Sequence, residues 1–375
     1  MGAVDAGLDG LVDGVGVEVQ MATLYLLEQY SVVQVEGDAL RVEPPREKGS
    51  GRRAPAAMVR VPLTAIEQVL VFGEVTLTTP ALHALFERRI PVHYLSVYGR
   101  SYGTALADPG KNSLLRLAQV QLWQDGPRRF AVAQQCVLGK LVNMRAMVLR
   151  TARSREEPTA QVLQAAAEEL AVAIRAVKGL VAPATVDAGD RMHGLGPLLG
   201  WEGRGSAAYY AAFGQMLKDE WGFTGRLKRP PPDPVNALLS LGYVVLTKQV
   251  ASLIAAVGLD VGIGVLHQPG YGKPTLALDL VEPFRPLIVD SVVVTMVNTR
   301  QVQAADFRHE FGGVWLTDAA RKLFLQQLEG RLQEQVRHPL LGQGLSYRRC
   351  IEVQVRLLAK VAQGEIGTYV PFTVR

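Results

Sequence analysis

The feature that most constrains this chain is a change of hydrophobic period near Pro109. Before it, apolar residues come in short runs separated by turn residues, at 24–27, 31–35, 39–42, 58–61, 69–72, 75–77 and 91–95. Such runs predict strands. After it, apolar residues recur at three- and four-residue spacing over 112–124, 127–153, 159–180, 194–218, 234–257, 277–298, 317–337 and 347–361, which predicts helices. The expected class is α+β: a small N-terminal β-sandwich-like domain over 21–108, then a larger all-α domain over 109–375. One helix interrupts the strands, with Thr79 as N-cap, Pro80 at the first helical position and Leu82, Leu85 and Phe86 on one face.

With 48% hydrophobic residues, the chain has enough apolar material for two domains, which excludes wholesale disorder. Residues 1–20 are the exception. They carry Asp5, Asp9, Asp13 and Glu18, no basic residue and no periodicity, so they are expected to be a disordered leader, with the patterned chain starting at Met21. A segment without positive charge is no secretory signal, and a cytoplasmic location is expected. The most apolar stretch, 238–266, is cut by Lys248 and Asp260 into pieces shorter than the ~18 residues a membrane span needs. Cys136 and Cys350 cannot build a disulfide framework and read as buried reduced thiols.

Charge points to a partner. The net charge of +5 includes −4 from the first twenty residues, which leaves +9 on 21–375. That excess suits a polyanion such as nucleic acid. Two basic loops contribute. Residues 44–55, with Arg46, Lys48, Arg52 and Arg53, read as a solvated hairpin loop. Residues 221–233, with Arg226, Lys228 and Arg229 before Pro230, Pro231 and Pro232, read either as a spacer or as a loop that grips a strand.

The usual signatures of nucleotide hydrolysis, nicotinamide binding, esterases and zincins do not occur; Gly262 and Gly264 lie after a helix, the wrong context for a dinucleotide loop. Of six histidines, His83, His93, His193, His309 and His338 have ordinary surface or structural settings. His267 ends an apolar run and precedes a Gly- and Pro-rich loop that leads to Asp279 and Glu282. Those two carboxylates are three apart, so a helix would put them on one face, with Pro283 making the geometry approximate. An acid in so apolar a run is costly to bury without a compensating cation. Glu202, between Gly200 and Gly203 and near Tyr209 and Tyr210, is a third acid. One imidazole with two or three carboxylates suits Mg²⁺ or Mn²⁺ better than zinc. From spacing alone, three unrelated polar residues explain the pattern better than a metal site.

Three stretches change that balance: 199–203 (Leu-Gly-Trp-Glu-Gly) with Ala207, Ala208 and Tyr209; 228–243, from Lys228-Arg229 through the prolines to Asn236 and Tyr243; and Leu266-His267 followed by 276–286 (Leu-Ala-Leu-Asp-Leu-Val-Glu-Pro-Phe-Arg-Pro). In this order they resemble the CRISPR-associated protein one family, the integrase of spacer acquisition. The likeness runs from Met21 through 23–26 to the tail at 369–372. It implies metal ligands at Glu202, His267 and Glu282, with Asp279 as the adjacent catalytic acid and Mg²⁺ or Mn²⁺ as the cofactor. Glu282 stands where many members carry Asp. The implied reaction is metal-dependent transesterification, in which the 3′-hydroxyl of a short DNA fragment attacks a phosphodiester at a CRISPR repeat end. Endonuclease activity would accompany it, and no covalent protein intermediate is required. Implied too are a homodimer paired through the β domain, a catalytic all-α domain and CRISPR-associated protein two as partner. Candidate DNA contacts are Arg204, Tyr209, Arg226, Lys228, Arg229, Lys273 and Arg285. The alternatives are a metal-dependent nuclease or branched-DNA resolving enzyme, and a non-catalytic DNA-binding scaffold.

Overall fold

The structure is a computed structural model that describes residues 17–20, 22–45, 58–108, 112–183, 194–227 and 230–374. The chain divides into two compact units, 1–109 and 110–375.

In the first unit, β1 (Val17–Gln20), β2 (Ala22–Leu26), β3 (Val32–Glu36), β4 (Ala39–Glu43), β5 (Val59–Pro62), β6 (Ile66–Phe72) and β7 (Thr76–Leu77) precede α1 (Thr79–Glu87), followed by β8 (Val92–Leu95) and β9 (Ser101–Ala105). They form a five-stranded sheet, β1-β2-β6-β8-β9, and a four-stranded sheet, β5-β4-β3-β7. β6 pairs parallel with both β2 and β8. That central position explains why Val69 to Phe72 are buried without alternation. Leu24, Val69, Val71 and Val92 of one sheet share a core with Val33, Leu40 and Val42 of the other, and with Ala81 and Leu85 of α1.

Two expectations for this unit are corrected, and one strand is new. Val17 to Gln20 pair with β2, so the segment expected as a disordered leader ends in a strand, whose alternating Val17 and Val19 are its signal. The N-cap of α1 is Thr78, because Leu82 N–H bonds to Thr78 O at 3.0 Å. β9 was not expected from the sequence, since its exposed Ser, Tyr and Gly carry no apolar pattern.

The second unit contains α2 (Ser113–Gln124), α3 (Gly126–Ala152), α4 (Thr159–Gly179), α5 (Gly196–Phe213), α6 (Pro234–Val257), α7 (Thr275–Val281) and α8 (Ser291–Asn298). β10 (Phe307–Glu310), β11 (Gly313–Leu316), α9 (Asp318–Gln333), β12 (Gln335–Arg337), β13 (Gly344–Ser346) and α10 (Tyr347–Gln363) follow. The unit is therefore not all-α: β10–β11 and β12–β13 are antiparallel hairpins. Phe311 and Gly312 both take positive φ at the first hairpin's tip, as a two-residue hairpin turn requires. Residues 335–337, expected as the end of a helix, leave it after Gln333.

α6 is long and apolar enough to cross a membrane by composition, yet it lies in the core, with Leu238, Leu239, Val245, Leu246 and Val250 fully buried. Cys136 and Cys350 are buried and free.

Two glycines on neighbouring helices position the site. A side chain at Gly205 of α5 would sit 2.4 Å from Leu141 of α3, so α5 and α3 approach more closely than a Cβ permits. A side chain at Gly139 would sit 2.7 Å from Pro371 and 3.1 Å from Pro283. The same stretch of α3 thus receives α5 on one side and the turn after α7 on another. Lys140 lies between these contacts.

Candidate active site

The α-helix of α7 gives way at Glu282 to a 3₁₀ turn (Glu282–Phe284), because Pro283 has no N–H to continue it; a π-helical turn (Pro286–Asp290) then leads into α8. Asp279 lies on the helical side of that break and Glu282 just beyond it, so the two face different partners.

Asp279 is fully buried. Its Oδ2 accepts the N–H groups of Val265 at 2.6 Å and Leu266 at 2.9 Å, and its Oδ1 accepts His267 N–H at 2.9 Å. His267 Nδ1 meets the same Oδ1 at 2.6 Å. With the carboxylate accepting, Nδ1 is the donor, so in the neutral imidazole Nε2 is the nitrogen with a free lone pair. No described residue bonds to Nε2. Asp279, expected as the acid adjacent to the ligands, has its lone pairs engaged by these groups and orients the imidazole. Gly264 earns its place in the same cradle, because a Cβ there would lie 2.6 Å from Asp279 Oδ2.

Glu202 and Glu282 converge on Lys140. The ammonium pairs with Glu202 Oε1 and stands 2.8 Å from Glu282 Oε2. Ser206 Oγ donates to the same Glu202 oxygen at 3.0 Å. Arg285 pairs with Glu282 Oε1 at 2.8 Å and lies over the Tyr243 ring at 4.7 Å. Burial alone would push the Glu282 carboxyl up, but the Arg285 and Lys140 charges overcome it and hold it at about 2. Burial would likewise lower Lys140, and Glu282 and Glu202 reverse the effect, so its proton is held more tightly than usual. His267 is lowered by burial but raised on balance by Asp279 and then by Glu282, which places Glu282 within its electrostatic reach.

Behind Arg285 lies a second polar group that the sequence did not suggest. Asp290, at the end of the π turn, accepts Tyr209 OH at 2.8 Å and Tyr243 OH at 2.5 Å, and Tyr210 OH lies 2.9 Å from Tyr243 OH. Burial pushes Asp290 up to about 6 despite these hydrogen bonds and the nearby Arg285 and Arg226 charges.

The candidate DNA contacts separate by what their side chains already do. Tyr209 is wholly buried with its hydroxyl on Asp290, so it cannot meet DNA. Arg226 bonds to Asn236 and Ser240, and Arg285 to Glu282; both cations serve the interior. Arg204 is exposed, paired with Glu169 at 2.9 Å and lying over the Trp201 ring. Lys273 is exposed. Lys228 and Arg229 lie outside the described residues, as do the cations Arg46, Lys48, Arg52 and Arg53 of the first basic loop. Sequence reasoning missed Lys140; its signal was a lone cation within the apolar run Val137-Leu138-Gly139-Lys140-Leu141.

Among the described residues no three His, Cys, Asp or Glu side chains stand in metal-holding geometry. Lys140 occupies the point between the two acids. The donor set nevertheless fits a hard divalent cation. Glu282 Oε2 is buried without a hydrogen bond, the Lys140 ammonium being near but off angle. His267 Nε2 is open, and its Nδ1 is fixed by a carboxylate, as in histidine ligands of metals.

Comparison with known proteins puts the chain in the class of CRISPR-associated endonucleases. A sequence model of "CRISPR associated protein Cas1" matches residues 24–330, and the chain belongs to that family. It is 35% identical over 362 residues to CRISPR-associated endonuclease Cas1 3 of Thermus thermophilus, covering 96% of this chain and 98% of the relative. It is 37% identical over 360 residues to a CRISPR-associated exonuclease Cas4/endonuclease Cas1 fusion of Geobacter sulfurreducens, covering 94% of this chain and 60% of the fusion. A casposase bound to integration product has the same fold, at a TM-score of 0.78 and 22% identity over 93% of each chain. A chain of a Cas6-RT-Cas1–Cas2 complex aligns at a TM-score of 0.74 and 25% identity, over 95% of this chain and 36% of that one.

Proposed function

We propose that Glu202, His267 and Glu282 hold one or more divalent cations, Mg²⁺ or Mn²⁺, at which the chain joins the 3′-hydroxyl of a short DNA duplex to a phosphodiester of a CRISPR repeat. The observation that carries this reading is the convergence of two acids from separate helices on a single buried cation position, beside an imidazole locked by Asp279. A divalent ion there would supply charge stabilisation for the phosphate and its oxyanions. The chain's own residues do the rest: Asp279 fixes the His267 tautomer, Arg285 holds Glu282 in place, and Ser206 holds Glu202.

The reading extends to partners. The DNA-bound casposase and the complex containing Cas2 support DNA and a Cas2 protein as partners. A homodimer formed through the first unit belongs to the same proposal. Lys273, exposed in the loop after His267, is a cation that could meet a phosphate, and Tyr271, fully exposed between two glycines in the same loop, offers a ring for a base to stack on.

The test incubates the protein, its Cas2 partner, a duplex with free 3′-hydroxyls and a repeat-bearing plasmid with Mn²⁺. Joined products are expected, with a loss of at least about a hundredfold in His267→Ala, the low end of removing a group that stabilises developing charge. Undiminished joining by that variant would show that the chemistry lies elsewhere. Free hydrolysis as the main product would favour the nuclease, in which water replaces the hydroxyl at the same site. Mn²⁺ binding that survives alanine at both Glu202 and Glu282 would favour the scaffold.

A further inference from the structure

Lys140 is drawn into the same place as the cation it would accompany. It enters from α3, which contributes none of the three proposed ligands, and its side chain is 8% exposed. Its ammonium bridges Glu202 of α5 and Glu282 of the turn after α7, residues eighty positions apart in sequence. A buried Glu282 and a half-buried Glu202 sharing one ammonium would repel each other without a cation between them. Arg285 pairs with the other oxygen of Glu282, and Lys140 is the described cation that contacts both acids.

The two contacts differ in kind. Lys140 donates a hydrogen bond to Glu202 Oε1, whereas Glu282 Oε2 has the ammonium at 2.8 Å without hydrogen-bond alignment. The ammonium is a compact charge on a flexible stem, the property that lets a lysine stand in for a metal ion and also shift between carboxylates. An ammonium and a divalent ion cannot both sit between these oxygens. Loading must move Lys140 off at least one carboxylate.

We propose that Lys140 is a built-in counter-cation that occupies the divalent-ion position in the unloaded protein and competes with the ion for Glu202 and Glu282. This rests on the metal-site reading above. The competition keeps the two acids together and ready before the ion arrives, and it weakens ion binding by the free-protein form. A displaced ammonium beside the site is then available to an anionic phosphate oxygen.

The experiment titrates the full chain with Mn²⁺ alone, without DNA, following free Mn²⁺ by electron paramagnetic resonance. Lys140→Met, nearly isosteric and uncharged, is expected to bind Mn²⁺ at least tenfold more tightly than wild type. Its melting temperature without metal should be lower and its Mn²⁺-induced rise larger. Equal or weaker Mn²⁺ binding by Lys140→Met overturns the proposal. Lys140→Arg keeps the charge on a planar fork that grips both acids and gives a second reading should the first variant fail to fold. Several-fold weaker binding than wild type is expected, and equal or tighter binding overturns the role. The two ideas fail separately. Wild-type Mn²⁺ binding that survives Glu202→Gln with Glu282→Gln removes the metal site itself, whereas carboxylate-dependent binding that ignores Lys140 removes only the counter-cation.

Discussion

Asp290 is a buried acid surrounded by phenols, and its pH behaviour follows from that setting. A free aspartate titrates near 3.9, whereas burial pushes Asp290 up to about 6. Between these values the folded protein keeps a proton that the unfolded chain has lost, so this group makes stability fall as pH rises from about 4 to 6. The effect is on the order of 3 kcal/mol at neutral pH. Asp290→Asn does not titrate, so denaturant midpoints measured from pH 4 to 7 should lose that part of their slope; an unchanged slope would mean that Asp290 does not hold the proton. At this scale the sequence disclosed His267, Asp279, Glu282 and Glu202, because each stands out as polar chemistry in an apolar or glycine-rich setting. It did not disclose that Asp279 serves His267 while Glu282 serves Lys140, since that division depends on where Pro283 breaks the helix. Tyr209 was misread for a related reason: its position after Glu202 was visible, but its inward direction is fixed by Asp290, eighty-one residues away.

Asn143 shows how the helical elements hold the site's scaffold. One turn beyond Lys140 on α3, its amide donates to Pro283 O at 2.8 Å and to Phe372 O at 2.9 Å, and its Oδ1 accepts Val374 N–H at 2.9 Å. A single buried side chain thus ties the turn that carries Glu282 and the C-terminal tail to α3. Asn143→Ala leaves two carbonyls and an amide without these partners and is expected to cost roughly 2–4 kcal/mol. The tail should become an early site of limited proteolysis, and a melting temperature equal to wild type with an equally protected tail would refute this role. Long elements such as α3, α4 and α6 were legible because their apolar periods extend over many turns. The hairpins β10–β11 and β12–β13 were not, because three- and four-residue strands with mixed exposure carry too little pattern to compete with the adjoining helices. β6 was legible as an apolar run, but its central place between β2 and β8 depends on pairing that no local pattern contains.

Across the whole molecule, the basic excess is less available than the count of cations suggests. The chain has 40 Lys and Arg against 35 Asp and Glu, and several of the cations nearest the site are engaged inside the protein. Arg226 holds Asn236 and Ser240, Arg285 holds Glu282, and Lys140 holds two acids. On the proposed function, steering of DNA to this site falls to exposed cations, of which Lys273 is the described one closest in sequence to His267. Each phosphate contact steepens the fall of log affinity with log salt by about 0.9 on duplex DNA. Lys273→Ala should make that slope shallower by about this amount for a short duplex followed by fluorescence anisotropy between roughly 50 and 200 mM salt. Arg226→Ala should lower the melting temperature while leaving the slope as in wild type. If the two variants exchanged behaviours, Arg226 would be the phosphate contact and the 268–274 loop would lie away from the DNA. The sequence could supply the total charge and the loops that carry it, but only the folded chain distinguishes a cation offered to solvent from one already bound to a buried acid.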